Sequence, residues 1–212
     1  MDDPPLRLTP AMEDYLRAIY DLARERSPVR TTDLSRHLGV SPASATGMLK
    51  RLAALGLVHH VRYGGAELSP AGEGEALRLL RQHRIIETYL ATALGMGWDE
   101  VHAEAHRLEH HVSGRLQERM ADALGRPTRD PHGAPIPPRD GPFDPPRRVA
   151  LGRMPGPARL RVNEVLDVRP EVLRRLAEAG MVPDVVFDLV DGSPSGTVTV
   201  RLAGRLVALE RQ

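Results

Sequence analysis

Residues 101–111, Val-His-Ala-Glu-Ala-His-Arg-Leu-Glu-His-His, concentrate side chains that can bind a transition metal. On a helix turning about 100° per residue, His102, His106, Glu109 and His110 lie within roughly a third of the circumference. Upstream, His83 and Glu87 are an i, i+4 pair, so a helix there points both the same way. Imidazole nitrogens mixed with carboxylate oxygens suit Mn(II), Fe(II), Co(II), Ni(II) and Zn(II). The chain has no cysteine, which excludes disulfides and thiolate sites and leaves His, Asp, Glu and Met as ligands. Singly, each of these residues is as well explained by a solvated helix face. The recurrence of ligand types at face-compatible spacing on two successive helices is what argues for metal. A metal-dependent hydrolase is one alternative use of such a cluster, but the HExxH pattern is lacking.

Helices must hold these residues, and the sequence marks their ends. Thr9 and Pro10 are an N-cap and first-turn proline for a helix over 10–25, with Met12, Tyr15, Leu16, Ile19, Tyr20 and Leu22 at helical spacing. Thr32 precedes a short helix over 33–38 that stops at Gly39; Ser41 and Pro42 start another, running to Leu55 and Gly56. Two short helices about a glycine-containing turn make a helix-turn-helix, and β-prone residues 57–63 and 66–69 about Gly64-Gly65 add a hairpin. Together they predict a winged helix. A long helix over 70–94, interrupted only near its start by Gly72 and Gly74, ends at Gly95 and Gly97; Asp99 caps the next, which runs from about 100 towards Gly114 or beyond, to 124. Two such helices in a small protein call for a partner surface, and a homodimer supplies it. Ten of the nineteen prolines fall within 126–157, which reads as a tether rather than folded core. Val- and Leu-rich segments at 159–168 and 185–209, with a short helix over 171–179 between them, predict a small SH3-like β-barrel. The expected fold is mainly α with small β parts: winged helix over 1–74, helical metal-binding and dimerisation domain over 75–142, proline-rich linker over 143–157 and SH3-like domain over 158–212.

At 212 residues and 41% hydrophobic content, the chain has the size and composition of a few small globular domains. Its apolar runs fall well short of the ~18 residues that span a bilayer, and residues 1–10 lack a secretory pattern. The expectation is a cytoplasmic protein with no membrane partner. A net charge of +1 neither demands nor excludes nucleic acid.

In a helix-turn-helix the front of the second helix reaches base edges, which here places Ser41, Pro42, Ala43, Ser44 and Thr46 in the major groove. These short side chains predict sparse hydrogen-bonded readout, with thymine methyls and DNA shape carrying more of the specificity. Thr31, Lys50, Arg51 and the wing residue Arg62 are candidates for phosphate contacts.

In chain order, Met12-Glu13-Asp14-Tyr15-Leu16-Arg17-Ala18-Ile19-Tyr20, the winged helix, Gln82-His83-Arg84 with Glu87, Val101-His102-x-Glu104-Ala105-x-x-x-Glu109-His110 and Pro135-Ile136-Pro137 resemble the diphtheria toxin repressor family of iron- and manganese-dependent regulators. The resemblance covers nearly the whole chain, and the C-terminal part is similar to the family's SH3-like (FeoA-like) domain. It implies a primary, activating site of Asp14, His106, Glu109 and His110, and a separate ancillary site of His83, Glu87 and His102 with Glu171 from the C-terminal domain. It implies Mn(II) or Fe(II) as cofactor, with Co(II), Ni(II), Zn(II) or Cd(II) able to substitute in vitro. The position of His106 is cysteine in the family's iron regulators and glutamate in its manganese ones, so the resemblance leaves the metal open. It further implies a homodimer that binds a palindromic operator and represses metal-uptake genes. The remaining alternative is a winged-helix regulator of small organic ligands whose metal is only structural.

Overall fold

A computed structural model of the chain describes residues 8–24, 26–61, 65–145, 149–154, 156–166, 168–192 and 197–210. The chain divides into two compact units, Met1–Gln82 and His83–Gln212.

In the first unit, α1 (Pro10–Ala23) starts where the Thr9 side chain accepts a hydrogen bond from the Met12 amide, as the sequence predicts. Helices α2 (Thr31–His37) and α3 (Pro42–Ala54) follow, and the Ser41 hydroxyl caps α3 by accepting from the Ser44 amide at 3.1 Å. Strands β1 (Val58–Val61) and β2 (Gly65–Leu68) pair antiparallel, and Val29 adds a short bridge to Ala66. Leu16, Ile19, Leu34, Leu49 and Leu52, from all three helices, are fully buried with Val58 and Ala66 from the hairpin. Burying each such aliphatic side chain stabilises the fold by ~1.5–3 kcal/mol, so the apolar stripes fix the helix-turn-helix. Helix α4 (Pro70–Leu94) runs from this unit into the next, and its early glycines do not interrupt it. Gly72 permits close packing instead: a Cβ there would lie 1.9 Å from the Leu57 carbonyl oxygen.

In the second unit, the helix expected from about 100 towards Gly114 or beyond is two helices, α5 (Val101–Glu109) and α6 (Gly114–Ala123). The break has a local cause: Ser113 accepts from the Leu116 amide and so begins a new helix. Glu100 rather than Asp99 precedes α5, and the Asp99 carboxylate instead accepts from Arg174 at 3.1 Å. The expectation of a tether over 126–157 is overturned in its first third. Asp130, His132, Ala134, Ile136 and Pro137 are buried, and Ile136 packs with Ile85 and Ala121. Prolines gave this segment a linker's composition, yet their extended backbone also suits a strap whose alternate side chains turn inward.

Beyond the strap, the single turn Leu151–Arg153 leads to β3 (Ala158–Arg161), α7 (Pro170–Glu178), β4 (Val186–Gly192), β5 (Thr197–Leu202) and β6 (Arg205–Glu210). The strands of the expected SH3-like domain form, among the described residues, a four-stranded antiparallel sheet in the order β3-β4-β5-β6. Met181, Phe187, Leu189, Val198 and Val200 make its core. The predicted strand over 159–168 is shorter because the chain leaves the sheet after Arg161, and Val165 donates its amide to the His132 carbonyl at 2.9 Å.

Candidate metal centre and DNA interface

Helices α4 and α5 bring the predicted ligands of the second unit together. His83 Nε2 lies 2.9 Å from Glu87 Oε1 and 3.0 Å from His102 Nδ1, and His102 Nδ1 lies 2.8 Å from the same Glu87 oxygen. Glu109 places Oε1 2.8 Å from His106 Nδ1 and 3.8 Å from His110 Nε2. His110 follows the last residue of α5 and keeps a helical backbone, which leaves its ring 5.7 Å from that of His106. Asp14 stands half-buried on α1 of the first unit.

The two sets that the resemblance implied are also linked to each other by a hydrogen bond. His83 turns its other nitrogen, Nδ1, to Glu109 Oε2 at 2.7 Å, so one imidazole abuts both buried carboxylates. Two residues that the sequence did not single out extend the network. His132 Nδ1 faces Glu87 Oε2 at 3.8 Å, and Asp130 pairs with Arg84 at 3.4 Å. The signal for them was an Asp and a His two apart before a glycine, hidden in a proline-rich stretch with no periodicity. Glu171 stands exposed in the first turn of α7 and is not among the residues gathered here.

Burial shapes the electrostatics. Desolvation pushes the Glu87 carboxyl up, but the charge of His83 and the imidazoles of His102, His132 and His83 together hold it well below the usual carboxylate range. Asp130 moves the other way, raised by burial and by the Glu87 charge against the opposing pull of Arg84, His132 and the Ala134 amide. Burial lowers the affinity of His132 for a proton, yet Glu87, the Trp98 carbonyl and Asp130 outweigh it and raise the imidazole above its ordinary value. A depressed Glu87 and neighbouring imidazoles are ready donors for a divalent cation, and the set of nitrogens and oxygens without sulfur fits Mn(II) or Fe(II).

On the first unit, Ser41, Pro42, Ala43, Ser44, Lys50 and Arg51 are exposed on or beside α3, Thr46 is half-buried with its hydroxyl bonded to the Pro42 carbonyl, and Thr31 opens α2. This is the exposed front of a recognition helix in a winged helix-turn-helix. Arg62 lies outside the described residues.

A winged helix joined to a helical domain carrying buried His–carboxylate clusters defines a DNA-binding regulator of the metal-responsive class. Residues 7–66 match the family model of the iron dependent repressor N-terminal DNA binding domain, residues 69–138 that of the iron dependent repressor metal binding and dimerisation domain, and residues 149–212 the FeoA domain. The iron-dependent repressor IdeR of Mycobacterium tuberculosis is 31% identical over 210 residues, covering 93% of this chain and 90% of that protein. The diphtheria toxin repressor of Corynebacterium efficiens is 30% identical over 212 residues, covering 95% and 91%. A manganese-dependent transcriptional repressor solved in complex with manganese is 36% identical, with a TM-score of 0.86 over 94% of each chain. The chain belongs to the diphtheria toxin repressor family of iron- and manganese-dependent transcriptional repressors.

Proposed function

We propose that this protein is a cytoplasmic, homodimeric repressor of metal-uptake genes that binds a palindromic operator when Mn(II) or Fe(II) is present, and that it has no catalytic role. The observation that carries the reading is the buried network around Glu109 and Glu87, in the stretch that matches a metal binding and dimerisation domain. The resemblance assigns Asp14, His106, Glu109 and His110 to the activating site and His83, Glu87 and His102 to the ancillary one. A divalent cation would supply positive charge that offsets the carboxylates and links a residue of the DNA-binding domain to residues of the dimerisation domain. His83 orients Glu109 from behind, as outer partners commonly orient metal-binding carboxylates. A factor of about 100 in metal affinity between DNA-competent and incompetent arrangements provides ~2.7 kcal/mol of coupling.

Leu94, Leu108 and Leu116 are exposed apolar residues on α4, α5 and α6, in keeping with a helical dimer interface. Ser41 to Thr46 would face the bases, and Lys50 and Arg51 the phosphates. None of the helices among the described residues is long and apolar enough to cross a membrane. The test is an anaerobic mobility-shift titration of promoter fragments with Mn(II), Fe(II), Co(II), Ni(II) and Zn(II). Metal-stimulated retardation by Mn(II) or Fe(II) supports the reading; retardation indifferent to metal and chelator overturns it and favours an organic effector.

A further inference from the structure

Helix α3 turns Ala45, Leu49 and Leu52 into the core of the first unit. At about 100° per residue, Gly47 stands two positions beyond Ala45 and so faces nearly opposite to that core, with Thr46 on one flank and Ser44 on the other. Glycine inside a helix is less stable than alanine, because it loses more backbone freedom on folding. Yet a Cβ at Gly47 would meet nothing within 4 Å, and its backbone is not left-handed. Neither packing nor backbone geometry within the chain calls for glycine there, in contrast to Gly72, where a Cβ would strike the Leu57 carbonyl. A glycine that faces away from the core is accounted for by another molecule approaching the helix backbone closely.

The hydroxyls beside it show what that molecule would meet. Thr46 donates its hydroxyl proton to the Pro42 carbonyl at 2.8 Å. One of the Ser41 and Ser44 hydroxyls donates to the other, also at 2.8 Å, and Ser41 accepts from the Ser44 amide as well. Of these three hydroxyl protons, two are therefore held within the helix. A hydroxyl carries a single proton, so Thr46 has none left for guanine O6 or N7, adenine N7 or thymine O4. It presents its Cγ2 methyl and an acceptor lone pair instead. The 5-methyl group of thymine is the apolar feature of the major groove, and a threonine methyl suits it.

We propose that Thr46 is a specificity-determining residue that reads thymine through its Cγ2 methyl, and that Gly47 beside it lets the backbone of α3 come close enough for that contact. The inference rests on the reading of α3 as the recognition helix of a DNA-binding repressor.

The test uses the full-length protein in Mn(II) and the promoter fragment it retards most strongly, synthesised with thymidine or with deoxyuridine, which lacks only the 5-methyl group. Fluorescence anisotropy is expected to show wild type binding the uracil fragment at least about fourfold more weakly, the worth of one buried methyl group. Thr46→Val keeps the methyl and removes the hydroxyl, and should bind the thymine fragment as wild type does. Thr46→Ser keeps the hydroxyl and removes the methyl; it should lose about fourfold on the thymine fragment and then lose less than wild type on going to uracil. Gly47→Ala should resist urea better than wild type yet bind the thymine fragment about tenfold more weakly. Gly74, which also has open surroundings but lies on α4, is the control: Gly74→Ala should gain stability and keep wild-type affinity. Wild type indifferent to the thymine methyl, or Thr46→Val weakened while Thr46→Ser is not, overturns the methyl readout. Gly47→Ala binding as wild type does overturns the close approach. Metal-stimulated retardation by wild type leaves the repressor reading standing in either case, whereas its absence on every promoter fragment overturns both.

Discussion

Glu109 joins the two candidate metal-ligand sets, with one oxygen on His106 and the other on His83. Replacing it with Ala should lower metal-stimulated operator affinity tenfold or more, each factor of ten being about 1.4 kcal/mol, while circular dichroism stays helical. His83→Ala should weaken the same response, because it strips the outer partner from Glu109, and outer-partner losses typically cost roughly 10–100-fold in metal affinity. His102→Ala should do less, since His102 touches Glu87 rather than Glu109. Isothermal titration with Mn(II) and operator anisotropy measure the three side by side; His83→Ala with wild-type metal affinity would refute the orienting role. The candidate ligands on α4 and α5 were legible because helical periodicity converts spacing into a shared face. Asp130 and His132 were not, because they reach Arg84, and Glu87 and Trp98, through a strap whose contacts are long-range and leave no period in the sequence.

Helix boundaries were legible wherever a cap residue announced them. Ser41-Pro42 started α3, and Gly39, Gly56 and Gly95 carry the left-handed backbone that ends α2, α3 and α4. The division between α5 and α6 escaped because Ser113 and Gly114 lie inside a continuous polar and apolar alternation that suits one helix as well as two. The tether reading failed for a related reason: proline density reports backbone stiffness, not exposure, and Ile136 and Pro137 are buried. Gly72 was read as a weak point within a helix, whereas it lets the first turn of α4 press against Leu57. Gly72→Ala gains intrinsic helix propensity of up to ~1 kcal/mol and loses more to overpacking, of which ~1–3 kcal/mol is typical. Urea unfolding should therefore show net destabilisation of the first unit; a more stable variant would mean the contact relaxes freely.

For the molecule as a whole, the short side chains at the front of α3, if they face the bases as proposed, would leave phosphate contacts to supply most of the binding free energy. Operator affinity should accordingly fall by at least about tenfold between 50 and 200 mM salt, the loss that a few phosphate contacts already produce. An affinity flat across that range would place the specificity elsewhere. The dimer should survive chelation, because burying the apolar residues of α4, α5 and α6 requires no metal; sedimentation showing a monomer at micromolar concentration in chelator would contradict this. Whether metal held by the Glu109 network controls DNA binding is read out by fluorescence anisotropy on a labelled operator, with wild type and Glu109→Ala each measured in Mn(II) and in chelator. Chelation is expected to weaken wild-type binding by an order of magnitude or more, and Glu109→Ala in Mn(II) to bind no better than chelated wild type. Equal operator affinity for wild type in Mn(II) and in chelator would contradict it.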